Sequence, residues 1–295
     1  PDLSAEERHI QRTAFAALNW NRKFYRFNID QWLNEDDKEK EPKEKSPFET
    51  WRHFDAHDII SIPDAWEYPW FALWDLDFQL VTLGLIDPEF AKRQVLLMLD
   101  KRYMHPNGMI PGFEGDFSAP HPPLHAWAAW HVYQQTQDRS FLQYAYTRLK
   151  HNHDWWIKTQ NQGEPYLFGG GFLGMDNISV LNRSEDVPEE GWLAQADASG
   201  WMALFTLNLL AIAIELGADE DAAAFLTHFI QIRKALLSLW DDETQFFYDL
   251  LYTPETGRML LKVRSLVGLV PLTAALLFDP ASLDKLPQLR ASVDA

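Results

Sequence analysis

The chain of 295 residues is 46% hydrophobic and 23% charged, a globular balance that excludes disordered, collagen-like and coiled-coil chains and fits one large domain over residues 1–295. Its net charge of −17 repels phosphate backbones and anionic membranes, so neither nucleic acid nor a membrane is an expected partner. The absence of cysteine excludes disulfides, thiolate metal sites and a cysteine nucleophile.

The start, Pro1-Asp2-Leu3-Ser4-Ala5-Glu6-Glu7-Arg8, has neither the basic residues nor the apolar stretch of a signal peptide, which gives a cytoplasmic expectation. It also begins without Met, as a segment of a longer chain would. Alternating Glu, Asp and Lys over residues 34–46 predict a solvated loop. Beyond it, apolar residues recur at helical spacing. A run from near residue 70 ends at Asp87-Pro88, which opens a helix over 89–101 with Asp as N-cap and Pro in the first turn. Asp138 divides 124–135 from 141–158 in the same way, Asp219 divides 201–216 from 221–240, and Asp279-Pro280 follows 266–278. Residues 245–252 and 258–263, around Thr253-Pro254-Glu255-Thr256-Gly257, predict a β-hairpin.

The unit is therefore a helical hairpin repeated with loops of unequal length. Its two helices differ. Residues 203–214 are apolar nearly all round, as a covered helix is, whereas their partner carries Phe225, Phe229, Ile232, Leu236 and Leu239 on one stripe. Alternation of enclosed and half-exposed helices predicts an all-α toroid of inner and outer helices. Neither 201–216 nor 266–278 offers about 20 uninterrupted apolar residues for a membrane span.

The 13 tryptophans are the unusual part of the composition. Indole rings fill cores, but they also stack on the apolar C–H faces of sugars. Trp66-Glu67-Tyr68-Pro69-Trp70 and Trp74-Asp75-Leu76-Asp77 place such rings beside carboxylates that accept sugar hydroxyls. The same residues also suit a core with Asp75 and Asp77 on first-turn amides. Gly169-Gly170-Gly171-Phe172-Leu173-Gly174-Met175-Asp176-Asn177 is too glycine-rich for a helix and too apolar for a simple loop. Apolar neighbours would raise the carboxyl of Asp176, as a proton donor requires; a turn Asp bonding its own backbone is the other reading. His121-Pro122-Pro123-Leu124-His125 forms a rigid entry into the next helix.

Other chemistries lack their signatures. The chain has no phosphate loop, nucleophile elbow, dinucleotide fingerprint or His-Glu-x-x-His. His53 and His57, or His151 and His153, lack a third ligand at usable spacing, so no metal and no cofactor is expected. Glu255 sits at a hairpin tip, where a side chain points into water.

Four ordered stretches carry a resemblance: residues 61–70, the Trp74-Asp75-Leu76-Asp77-Phe78 run, the Gly170 to Asn177 loop, and Gln195-Ala196-Asp197-Ala198-Ser199-Gly200-Trp201-Met202. Together, between about Thr13 and Pro287, they resemble the clan of inverting α-glycosidases that contains glycoside hydrolase family 63. Bacterial glucosidase-like proteins look nearest, and mannosylglycerate or glucosylglycerate hydrolases and trehalase more distant. The resemblance implies an (α/α)6 toroid of which this chain is roughly the first two thirds. It implies Trp74 and Asp75 gripping the sugar at the cleaved end, and Asp176 as general acid. Around them Trp70, Asp77, His121, Pro122, Asn177, Asp197 and Trp201 would bind substrate, His121 standing where many members have Gln.

The resemblance also places the general base, a Glu, in the toroid's last helices. The expected partner is thus the remaining C-terminal part of the domain or another chain, besides a glycoside or small oligosaccharide substrate. The expected activity is inverting hydrolysis of an α-glucosidic or α-mannosidic bond. The alternative is a non-catalytic carbohydrate-binding or scaffold segment.

Overall fold

Three helical hairpins stand side by side and set the architecture. The structure, a computed structural model, describes residues 3–34, 46, 48–171, 178, 181–183 and 187–294. Helix α1 (Ala5–Trp20) is closed by a Ser4–Glu7 capping box and buries none of its residues. Strand β1 (Arg22–Asn28) and the short α2 (Ile29–Asn34) lead towards the charged segment, whose interior lies outside the described residues. Strand β2 (Asp55–Ser61) then pairs antiparallel with β1, Arg22 opposite Ser61, a ladder absent from the sequence reading.

The hairpins are α3 (Leu73–Ile86) with α4 (Pro88–Met98), α5 (His125–Thr136) with α6 (Arg139–Thr159), and α7 (Ala196–Leu216) with α8 (Asp219–Leu236). As expected, Asp87 and Asp138 cap the second helices of their pairs, accepting from the Phe90 and Phe141 amides. Asp219 does something else. It lies inside α8, and its carboxylate accepts from the Gln288 and Leu289 amides at the start of α9 (Pro287–Asp294), tying the last helix to α8.

Helices α3, α5 and α7 neighbour one another in an inner row, while α4, α6 and α8 pack outside them. The fold is an α/α toroid, as the helix patterning predicts. Helix α7 is its most enclosed member. By length and composition alone it is apolar enough to cross a membrane, contrary to the sequence reading, but 78% of its apolar window is buried inside the protein.

Two predicted elements change form. Residues 266–278 make a 3-10 helix over Leu266–Thr273 followed by irregular chain rather than one α-helix, because Pro271 has no N–H to give and its backbone lies against α7. That approach needs Gly200: a Cβ there would stand 2.7 Å from Pro271 N and 2.8 Å from its Cα. The predicted hairpin, β8 (Asp249–Thr253) with β9 (Gly257–Leu261), gains a third strand, β5 (Trp192–Ala194). Smaller ladders join β3 (Asn161–Gln162) to β4 (Glu164–Phe168) and β6 (Trp240–Asp241) to β7 (Phe246–Phe247).

Candidate active site

The first turn of α3 is held by the loop before α5. The Leu73 amide donates to the Gly112 carbonyl, and Phe113 bridges to Ala72. The imidazole of His121 stacks on Phe113 (centroids 5.5 Å, planes 9° apart), and Trp74 meets His121 edge-on at 6.3 Å. Trp74 also packs against a cluster of Leu124, Trp201 and Val270, drawn from the α5 entry, α7 and the 3-10 helix. Gly171, within the glycine-rich stretch and the last described residue ahead of 172–177, reaches the same place: a Cβ on it would stand 3.5 Å from Pro122 Cα and from Pro123 Cδ.

Trp74, His121, Pro122 and Trp201 are thereby brought together at one end of the inner helices. Two polar atoms in this group have no hydrogen-bond partner among the described residues, His121 Nδ1 and Trp201 Nε1, both shielded from solvent. Burial holds the His121 ring down at about 4, so it is neutral at neutral pH. Asp75, on the same turn as Trp74, is half-buried; burial, and then the neighbouring charge of Asp77, push its carboxyl above the usual range.

The other predicted residues have different surroundings. Asp77 is wholly buried, its Oδ1 2.6 Å from Nδ1 of His125, whose Nε2 lies 2.9 Å from the Val95 carbonyl. Asp197 is wholly buried too and takes both ends of the Arg183 guanidinium at 2.8 and 2.9 Å. Trp70 is half-buried and meets Tyr68 edge-on, and Trp66 is 93% exposed. Asp176 and Asn177 lie outside the described residues.

Sequence reasoning missed three polar residues that organise these groups: His125, Arg183 and Asp249. His125 had a local signal, standing four residues after His121 at the entry of α5. Arg183 and Asp249 had none, because their contact spans 66 residues. Among the described residues no three His, Asp or Glu side chains converge to hold a metal ion.

The inner helices of the toroid thus begin around an aromatic cluster that holds two shielded polar atoms without a partner among the described residues. The chain belongs to the mannosylglycerate hydrolase MGH1-like glycoside hydrolase family, which it matches over residues 68–292. It is 39% identical to the Saccharomyces cerevisiae "Uncharacterized protein YMR196W" across 99% of its own length, and spans 30% of that relative. Its fold is similar to GH63 mannosylglycerate hydrolase from Thermus thermophilus. The complex with Tris and D-glycerate superposes with TM-score 0.59 at 17% identity, covering 78% of this chain and 72% of that one. The glucose complex gives 0.58 at 20% identity, with 78% and 71% covered.

Proposed function

We propose that this chain forms the acid-bearing part of a glycoside hydrolase that cleaves an α-glucosidic or α-mannosidic bond with inversion. The observation that carries the reading is a pair of shielded polar atoms without a partner among the described residues, His121 Nδ1 and Trp201 Nε1, on rings packed around Trp74. A buried indole N–H without an acceptor costs free energy, and a ligand rich in hydroxyls supplies what both rings lack. Trp74 offers the face for the sugar and Asp75 an acceptor for its hydroxyls.

In this reading Asp176 protonates the leaving oxygen while a Glu from polypeptide outside these residues activates water on the opposite face. The covered shares support that division: the chain spans 30% of its yeast relative and about 70% of the solved neighbours. The glycerate found in one neighbour and the glucose in another suggest glycerate glycosides and α-glucosides as first substrates.

The deciding experiment screens α-glucosides, α-mannosides, glycerate glycosides and trehalose with the complete protein and its Asp176→Asn form. Asn matches the shape but delivers no proton, so turnover should fall about 10²- to 10⁴-fold, and less on activated aryl glycosides. An Asp176→Asn variant as active as wild type on natural leaving groups would remove Asp176 from the mechanism.

A further inference from the structure

On the outer face of the β1–β2 ladder Phe24 stands directly opposite Ile59, and the two side chains are 67% and 56% exposed. Side chains alternate along a strand, so Arg22 and Arg26 flank Phe24 on that face and His57 flanks Ile59, while Tyr25 and Ile60 are buried behind them. Ile59 also borders an open hollow of about 870 Å³ between β2 and α4, lined by Phe90, Leu97 and, from α6, Tyr144. A second hollow of about 410 Å³ shares Asp100 and Tyr144 with the first, so the two form one furrow along the outer helices. Apolar area thus lies both in the furrow and on the sheet face beside it, a footprint wider than one small ligand covers.

The charges around this surface are of one sign once the ion pairs are taken out. Asp87 holds Arg22 at 2.7 Å, and Asp58 and Asp100 both face Arg102, at 2.9 and 3.3 Å. Arg26, Arg93, Lys101 and Arg148 have no ion-pair partner among the described residues, and Arg148 lies over the Tyr144 ring at 3.7 Å. On a chain of net charge −17 this is a local excess of positive charge. Aromatic and aliphatic groups interleaved with arginine have the composition of a non-obligate protein interface, whereas faces covered permanently carry little charge. Residues 266–278, also partly exposed but without a charged residue, are of that second kind.

We propose that the β1–β2 face and the furrow form a docking surface for an acidic segment of a separate protein, with an apolar side chain seated on Phe24 and Ile59 and carboxylates on Arg26, Arg93 and Arg148. An anionic membrane or a nucleic acid is the poorer occupant. Each extends far beyond the screening length of about 8 to 10 Å and meets the field of the whole acidic chain, whereas a short segment meets the local cations.

The test uses the complete protein and a short fluorescent peptide alternating Glu and Leu, with Glu/Ser and Lys/Leu peptides of equal length as controls. The Glu/Leu peptide should bind about tenfold more tightly than either control, and more tightly still at low salt. Phe24→Ser/Ile59→Ser and, separately, Arg26→Glu/Arg93→Glu should each weaken it about tenfold with the melting temperature unchanged, because all four side chains are exposed. Equal binding of the Glu/Ser peptide, or affinity unchanged in both variants, overturns the proposal. Three other results overturn it by assigning the face to a different occupant. A Phe24→Cys thiol that maleimide cannot label shows cover by the rest of the polypeptide. A dimer lost in Phe24→Ser/Ile59→Ser shows a second copy, and tighter binding to phosphatidylserine vesicles than to the peptide shows a membrane.

Discussion

Asp77 Oδ1 and His125 Nδ1 stand 2.6 Å apart with both side chains sealed from solvent, and the ring's other nitrogen faces the Val95 carbonyl at 2.9 Å. A carbonyl only accepts, so Nε2 carries hydrogen and the contact with Asp77 holds one shared proton. Burial raises the Asp77 carboxyl; burial opposes a charged His125, but Asp77 beside it outweighs that, so the pair keeps its proton. The pair locks the second turn of α3 to the first residue of α5.

Asp77→Asn should therefore be mild, because its amide donates to Nδ1, costing about 1 kcal/mol in denaturant unfolding. Asp77→Ala and His125→Ala leave a buried group unpaired and should cost roughly 3 to 5 kcal/mol. Equal losses for Asn and Ala would rule out the shared proton.

Trp74→Ala and Asp75→Ala separate site from core. Trp74 is half-buried rather than sealed, so its loss should weaken sugar binding by about tenfold, or 1.4 kcal/mol, with only a small drop in melting temperature. A core role predicts the reverse, a stability loss of about 3 to 5 kcal/mol with affinity intact. Binding isotherms beside thermal melts distinguish the two.

His121 sets a pH dependence whose sign follows from burial. The folded ring titrates at about 4, below the unfolded value of about 6.5, so the fold prefers it neutral. Its contribution is fully present above the unfolded value and is lost as pH falls from there through about 4. His121→Gln should lose less stability than wild type between pH 7 and pH 4.5. Parallel decline of the two proteins, or an NMR titration of His121 near 6.5, would contradict this.

Gly200→Ala probes the seam between α7 and the 3-10 helix. The new Cβ would meet backbone atoms of Pro271, not a flexible side chain, so about 1 to 3 kcal/mol should be lost. Gly217→Ala tests a different cause: nothing lies within 4 Å, but its φ of +73° should still cost about 1 kcal/mol. An unchanged melting curve for Gly200→Ala would show that the two elements separate freely.

The caps at Asp87 and Asp138, the enclosed character of α7 and the striped α8 were legible in the sequence, because each is decided between residues a few positions apart. Trp74, His121 and Trp201, which the resemblance places in one site, pack together around Trp74. What local pattern left open was direction and closure. Asp75 and Asp77 belong to one motif, yet two residues turn an α-helix by about 200°, placing one carboxylate half-open and the other sealed against His125. Residues 266–278 look helical until the backbone of Gly200 meets that of Pro271, and Asp197 reads as a sugar ligand until Arg183 and Asp249 close on it from distant segments. Burial and partner are set by which segments the chain brings together, and that energy is absent from any short window of sequence.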